Sequence, residues 1–387
     1  MAFGIYVHIP YCVKKCPYCD FNSYGVGKLI PEEDYTEALL KEVDFYEESI
    51  GELSISSLFF GGGTPSLFSL QSVERIIDKI LSIAPSSDRI EVSLEVNPKT
   101  ADLGKLRGFR EVGVNRISVG VQSFSERKLK VLGRVNSPED SRKILEDVVK
   151  AGFDNFNLDL MYGVSDETLE EWKVDLLKAL EFNSTHISAY NLTIEDDTEF
   201  AVLHAAGRLA LPDEDTLADM IVFTSEFLEE SGYRQYEISN YAKPGFECRH
   251  NLLYWRGESY IGLGAGAHSH LAQYERAPWG TRWANLKDPA AYINTLKDGK
   301  RPLAFTERLS RDEAIEDRVL MGLRLREGIS LMNLEQNFGV ELSSDKLDYL
   351  MDKNYIQMSD NCLRLTGKGF LLSNDIILKV LDSLIIA

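Results

Sequence analysis

Six apolar runs, each trailed by a segment with helical spacing, fill residues 5 to about 195 and confine the chain to a parallel α/β architecture. Ile5, Val7 and Ile9 alternate as in a strand with one buried face. Pro31 followed by Glu32, Glu33 and Asp34 opens a helix, because proline fits a first turn and acids suit the positive end of the helix dipole. Tyr35, Leu39, Val43, Tyr46 and Ile50 carry that helix onward. Further strands are predicted over 55–60, 90–96, 117–121, 156–160 and 187–194, separated by helices near 73–80, 103–112, 140–151 and 168–180. Parallel strands joined by helices need right-handed crossovers, which leaves a barrel or a doubly wound sheet. Polar residues at the C-terminal ends of successive strands favour a partial (β/α)6 TIM-like barrel, since barrels of that type build their sites there.

After about residue 200 the rhythm breaks. A helix over 215–230 leads to Tyr236-Glu237-Ile238, then to His250-Asn251-Leu252-Leu253-Tyr254-Trp255 and Gly262-Leu263-Gly264-Ala265-Gly266. Irregular, aromatic-rich sequence is expected to about residue 305. The last 80 or so residues read as amphipathic helices over 312–326, 332–338 and 342–353, short strands over 356–358 and 363–365, and a final helix. That is a smaller, mostly helical, winged-helix-like unit. Its second and third helices carry too little positive charge to favour DNA. The expected division is a core over 1–235, a connecting region over 236–305 and a C-terminal domain over 306–387.

Lys plus Arg number 42 against 61 Asp plus Glu, a net charge of −19. Such a balance argues against nucleic acid as the main ligand and against adhesion to anionic lipid through bulk charge. No apolar run approaches the roughly 20 residues of a transmembrane helix. The first residues lack the basic and apolar regions of a signal peptide. Three of the five cysteines are clustered, with Cys248 and Cys362 distant, so a disulfide framework is not expected and the cytoplasm is.

The clustered cysteines carry the chemistry. Cys12, Cys16 and Cys19 form a C-x3-C-x2-C loop with Tyr18 before the last cysteine. Three thiolates can hold three irons of a [4Fe–4S] cubane and leave the fourth iron without a ligand from this loop. Two alternatives stand beside it. Structural zinc wants four ligands, usually in separated pairs, and a redox pair would use Cys16 and Cys19 and leave Cys12 idle. Gly61-Gly62-Gly63-Thr64-Pro65 ends a strand, either as a plain turn or as bare backbone open to a ligand. Glu95 and Asn97 end the third strand, Gln122 and Ser123 the fourth, and Asp159 lies in the fifth. They are solvated strand ends or one polar pocket fit for ribose hydroxyls and an amino-acid moiety. Arg134 suits a carboxylate by forked hydrogen bonding.

Together these motifs resemble the radical S-adenosylmethionine (SAM) superfamily. The resemblance implies Cys12, Cys16 and Cys19 as ligands of a [4Fe–4S] cluster. It also implies Tyr6, Tyr18, Gly62, Gly63, Thr64, Glu95, Gln122, Arg134 and Asp159 as residues around the cluster and SAM. Tyr6-Val7-His8-Ile9-Pro10, residues 114–124 and residues 157–163 are similar to the oxygen-independent coproporphyrinogen III oxidase branch, which holds the oxidases (HemN) and the heme chaperones (HemW). Two departures point to the chaperones. Position 21 is Phe where oxidases carry a further cysteine, and only eleven residues precede Cys12. His250-Asn251-Leu252-Leu253-Tyr254-Trp255 matches the HNxxYW signature of the HemW branch and implies His250, Asn251, Tyr254 and Trp255 as heme contacts. His8, His268 and His270 are the alternative iron ligands, with His8 better suited to brace the cysteine loop. The implied cargo is heme. The implied partners are heme-accepting proteins, membrane-bound respiratory components among them, and a homodimer is left open. Whether SAM is cleaved, as in an oxidase, or only bound is also left open.

Overall fold

The computed structural model describes residues 3–27, 29–50, 54–272 and 277–386. Six parallel strands form its centre: β1 (Phe3–Ile9), β2 (Ile55–Gly62), β3 (Ser86–Val96), β4 (Arg116–Gln122), β5 (Phe156–Tyr162) and β6 (His186–Asn191). They lie side by side in chain order. Every crossover therefore steps the same way, which puts the helices on one face and curls the other inward. A doubly wound sheet would reverse its strand order at a switch point, and this one does not.

The crossover helices are α1 (Glu32–Asp44), α2 (Leu70–Ile83), α3 (Leu103–Glu111), α4 (Pro138–Lys150) and α5 (Leu169–Leu180). Their ends follow local chemistry. Ser137 and Thr168 each form a capping box with an acid three residues on, and the Ser69 side chain accepts from the Ser72 N–H at 3.2 Å. Between helices and sheet lies the main core: Ile5, Val7, Leu58, Phe60, Leu94, Val119 and Leu158 meet Leu39, Ile76, Phe109, Leu145 and Trp172. Each such side chain contributes about 1.5–3 kcal/mol by leaving water.

The alternate positions on the same strands are polar. Ser57, Glu91, Ser93, Arg116, Ser118, Asn157, His186 and Ser188 are all buried on the inner face. A barrel interior of this kind is not an apolar plug and keeps space for ligands.

The stretch expected to be irregular is ordered. β7 (Arg234–Gln235) and β8 (Asn240–Ala242) extend the sheet antiparallel beyond β6. After the helices α6 (Glu214–Glu230) and α7 (Arg249–Trp255), β9 (Ser259–Leu263) pairs parallel to the outer side of β1. β10 (His268–Leu271), β11 (Thr281–Asn285) and β12 (Leu303–Arg308) follow antiparallel, giving a 12-stranded open sheet that runs past residue 305. These strands are short, so they lack the run of alternation that marks β1 to β6. Beyond α8 (Pro289–Lys297), α9 (Arg311–Gly322) and the residues after it hold their own core of Val319, Leu334, Leu350, Ile356, Leu363 and Ile377, around a three-stranded sheet. No helix among the described residues is long and apolar enough to cross a membrane.

Candidate functional site

The loop after β1 carries the three cysteines across the C-terminal end of the parallel strands. Backbone bonds shape it: Cys19 N–H to the Cys16 carbonyl at 3.1 Å, Val26 N–H to the Cys12 carbonyl at 3.0 Å, and Tyr24 N–H to the Pro10 carbonyl at 2.7 Å. His8, on β1, uses Nε2 to reach the Asn22 carbonyl at 2.9 Å and so braces the loop as expected. The Asn22 amide donates to the carbonyls of Ala265 and Lys287, both at 2.9 Å, tying the loop to the glycine-rich segment after β9.

The glycines after β2 let the loop come close. A Cβ at Gly62 would lie 2.4 Å from the His8 ring, and one at Gly63 would lie 2.7 Å from the Tyr11 carbonyl oxygen. Gly62 also has φ +111°, a conformation that favours glycine. The Gly63 N–H donates to the Ile9 carbonyl at 2.8 Å and fixes this approach.

Cys12, Cys16 and Cys19 are free thiols, partly exposed. Each sulfur has a polar neighbour. Thr64 Oγ1 donates to Cys12 Sγ at 3.6 Å, Arg134 Nη1 to Cys16 Sγ at 3.8 Å, and Ser23 Oγ lies 3.7 Å from Cys19 Sγ. Asn97 joins the first two, its amide donating to Thr64 Oγ1 at 2.9 Å while its carbonyl accepts from Arg134 Nη2 at 2.5 Å. One hydrogen-bond chain, Cys12–Thr64–Asn97–Arg134–Cys16, therefore spans the ends of β2 and β3 and the segment after β4. A soft three-sulfur donor set with outer-shell donors fits an iron–sulfur cubane. Among the described residues no three His, Cys, Asp or Glu side chains gather as around a single ion.

Against the cysteines lies a cavity of about 360 Å³ lined by Tyr18, Gly62, Gly63, Thr64, Glu95, Gln122, Arg134 and Asp159. Its size falls at the lower end of the roughly 300–1,000 Å³ typical of small-molecule sites. Glu95 accepts from the Gly62 N–H at 3.1 Å. Burial, and then the charge of Asp159, push its pKa up to about 8. Asp159 accepts from Ser118 Oγ at 3.1 Å and Asn157 Nδ2 at 2.8 Å, and burial raises its pKa too. Gln122 sits at a bulge with φ +64°, which costs a non-glycine residue about 1–2 kcal/mol and brings its side chain onto the cavity wall. Asn97, Ser118 and Tyr190 join the lining without having been singled out among the SAM residues. Their signal was polar character at inward strand positions and strand ends.

Tyr6 does not line this cavity. It lies on the wall of a second, larger one of about 1270 Å³ between the barrel and the C-terminal unit. The two cavities share Asp20, Phe21, Gly62 and Glu95. Phe21 is 60 % exposed, a large apolar side chain where a further cysteine would give polarity and metal affinity.

The HNxxYW segment forms α7, and its first free N–H groups are capped from another element. The Glu91 carboxylate, on β3, accepts from the Arg249 and His250 N–H groups, both at 3.2 Å. Asn251, Tyr254 and Trp255 line the large cavity. His250 does not. Its ring is 1 % exposed, with Nδ1 bonded to Ser57 Oγ at 2.9 Å and Nε2 to the Tyr254 hydroxyl at 2.8 Å, and it stacks on Phe59. Burial and nearby Arg116 push its pKa down to about 3. His250 is a neutral, fully engaged imidazole, so the expectation of a direct heme contact does not fit this geometry: both ring nitrogens, one as donor and one as acceptor, are spent inside the fold.

Residues 6–178 match the Radical SAM superfamily and residues 309–372 the HemN C-terminal domain. The solved structure of coproporphyrinogen III oxidase (HemN) from Escherichia coli, a radical SAM enzyme, aligns with a TM-score of 0.82. It covers 98 % of this chain and 89 % of its own at 24 % identity, a likeness that shows the fold. The fold is thus of the radical SAM class. A Haemophilus influenzae protein named heme chaperone HemW is 37 % identical over 97 % of this chain and 96 % of its own length. Its Escherichia coli namesake is 44 % identical over 69 % of this chain and 70 % of its own. The chain belongs to the heme chaperone HemW family.

Proposed function

We propose that this chain is a cytoplasmic heme chaperone of the radical SAM fold, binding a [4Fe–4S] cluster and SAM in the small cavity and heme in the large one, and delivering heme to acceptor proteins. The observation that carries the reading is the meeting of two cavities of different character at Glu95, Gly62 and Phe21. The small one holds the three cysteines together with Glu95, Arg134 and Asp159. The large one is walled by Tyr254, Trp255, Tyr260, Trp279 and Phe338, aromatic surface suited to a flat macrocycle.

Cys12, Cys16 and Cys19 would hold the cluster, which when bound supplies an open iron and one-electron reducing power. Around it the chain's own residues bind and orient. Arg134 and Asn97 keep the thiols of Cys12 and Cys16 in register, and the bare backbone of Gly62 and Gly63 offers close approach. Glu95 and Asp159 give acceptors for ammonium and hydroxyl groups of SAM. The acceptors of heme, including membrane-bound respiratory components, would be met by docking, because bulk charge does not drive lipid binding.

A second reading, coproporphyrinogen III oxidation, draws on the completeness of the small cavity. Anaerobic reconstitution with iron, sulfide, SAM, reductant and coproporphyrinogen III separates the two. The chaperone reading expects no protoporphyrinogen and heme retained by the protein through gel filtration. Formation of protoporphyrinogen at catalytic yield overturns it.

A further inference from the structure

A histidine-ligated heme needs an imidazole lone pair that faces open space, and a donor beside a propionate strengthens the hold. The six histidines sort sharply by these demands. His8 spends its nitrogens on the Tyr6 hydroxyl and the Asn22 carbonyl, His186 on Asn157 and the Tyr236 hydroxyl, and His250 on Ser57 and Tyr254. His204 lies on a surface helix away from the large cavity, bonded to the Leu209 carbonyl. His268 and His270, on β10, line that cavity.

Of these two, His270 is prepared for a metal. Its Nδ1 lies 3.3 Å from the Glu258 carbonyl oxygen. A carbonyl can only accept, so Nδ1 carries the hydrogen and the lone pair resides on Nε2. A backbone carbonyl behind Nδ1 is the usual outer-shell support of an iron-ligating or zinc-ligating histidine. Gly280, at φ +105°, keeps a side chain off the free nitrogen, since a Cβ there would lie 3.1 Å from Nε2. Burial lowers the pKa of His270 below the usual imidazole range and favours the neutral ring. His268 is exposed, rests edge-on against Phe305, and has no hydrogen-bond acceptor behind it among the described residues.

Among the unsatisfied groups of the surrounding wall are donors that suit a carboxylate. Three buried polar atoms on it, Trp255 Nε1, Arg282 Nε and Glu258 Oε2, have no partner among the described residues. The first two are donors awaiting an acceptor. Arg318, on α9, also faces the cavity. It forms no hydrogen bond or ion pair among the described residues, although the charge of Glu258 acts on it. Other guanidiniums of the wall are already paired, Arg256 with Glu327 and Arg282 with Asp317.

We propose that His270, through Nε2, is the protein ligand to the iron of a heme held between the sheet extension and the C-terminal unit, and that Arg318 pairs with one of its propionates. This rests on the heme-chaperone reading. The test is a titration of the full-length protein with ferric heme, read by absorption and electron paramagnetic resonance. Five variants are compared: His270→Ala, His270→Met, His268→Ala, His250→Ala and Arg318→Ala.

The parent and His268→Ala should share one histidine-ligated spectrum. His270→Ala should lose it, regain the Soret position with millimolar imidazole, and bind about tenfold or more weakly without it. His270→Met, which retains bulk and can itself ligate, should give a different, thioether-type spectrum. Arg318→Ala should keep the parent spectrum and lose about tenfold in affinity. An unchanged spectrum in His270→Met or His270→Ala overturns the assignment. So does imidazole-rescued loss of the histidine signature in His268→Ala or His250→Ala. A parent that binds no heme overturns the functional reading itself, a result distinct from misassignment of the ligand.

Discussion

Replacing Glu95 by Gln should stabilise the ligand-free protein at alkaline pH and at the same time weaken SAM binding. Glu95 reaches from β3 into the small cavity, where the Gly62 N–H meets one of its oxygens. Burial first and Asp159 second raise its pKa from 4.5 to about 8. Because the folded pKa lies above the unfolded one, the folded state holds the proton more tightly. The associated stability is complete below about pH 4.5 and is lost as pH rises to about 8. At about 1.36 kcal/mol per pH unit the ceiling on that loss is roughly 5 kcal/mol. Relaxation of the site admits water and discounts that ceiling, so a difference of about 1–3 kcal/mol is expected at pH 9.

Glutamine keeps the shape and a carbonyl for Gly62 but never ionises. Urea denaturation of the iron-free protein, followed by the fluorescence of its four tryptophans, should give parent and variant nearly equal stability at pH 5 and a more stable variant at pH 9. Calorimetry on the cluster-loaded protein at pH 9, where the parent's carboxyl is ionised, should show about tenfold or greater loss of SAM affinity in the variant. In the parent, SAM binding should tighten as pH rises through about 8. A variant no more stable than the parent at pH 9, or SAM affinity indifferent to both substitution and pH, would refute the reasoning.

Other outcomes follow from the same contacts. Replacing Cys12, Cys16 or Cys19 by Ser should abolish the visible absorbance and iron content of reconstituted protein, whereas Cys248→Ser, at the N-cap of α7, should retain both. Arg134→Ala removes the link between Asn97 and Cys16; iron retention under chelator challenge should fall, and SAM affinity should drop by about 1.5–3 kcal/mol in a calorimetric titration. Lys128 is fully buried against Glu167 and Asp175, and Lys128→Met strands both carboxylates. Denaturant melts should show a loss of about 3–5 kcal/mol. Glu42→Ala leaves the Tyr292 hydroxyl, the Gly264 N–H and the Asn285 amide without their buried acceptor, and the same melts should register at least about 3 kcal/mol.

The parallel core was legible because β1 to β6 are buried against helices on one face, so Ile5, Val7, Leu94, Ile117 and Leu158 betray the period directly. The cysteine loop and the glycine turn were legible for another reason: their residue types have few other uses at that spacing. β9 to β12 were not, since strands of four to six residues with exposed polar positions carry little pattern. The environment of His250 was beyond reach as well. Its partners include Ser57, 193 residues away, and only the fold brings them together. The motif singles out residues of α7 but does not tell which of them face the cavity. Tyr6 teaches the same lesson: its place on β1 was plain, but its side chain falls on the large cavity's wall and not beside the cysteines.

The heme stoichiometry of the cluster-loaded protein tests the central claim most directly. Titration with heme, followed at the Soret band, should saturate sharply near one equivalent per chain, with the large cavity of about 1270 Å³ as the site. A linear, non-saturating rise, as with heme adsorbing to any apolar surface, would contradict it.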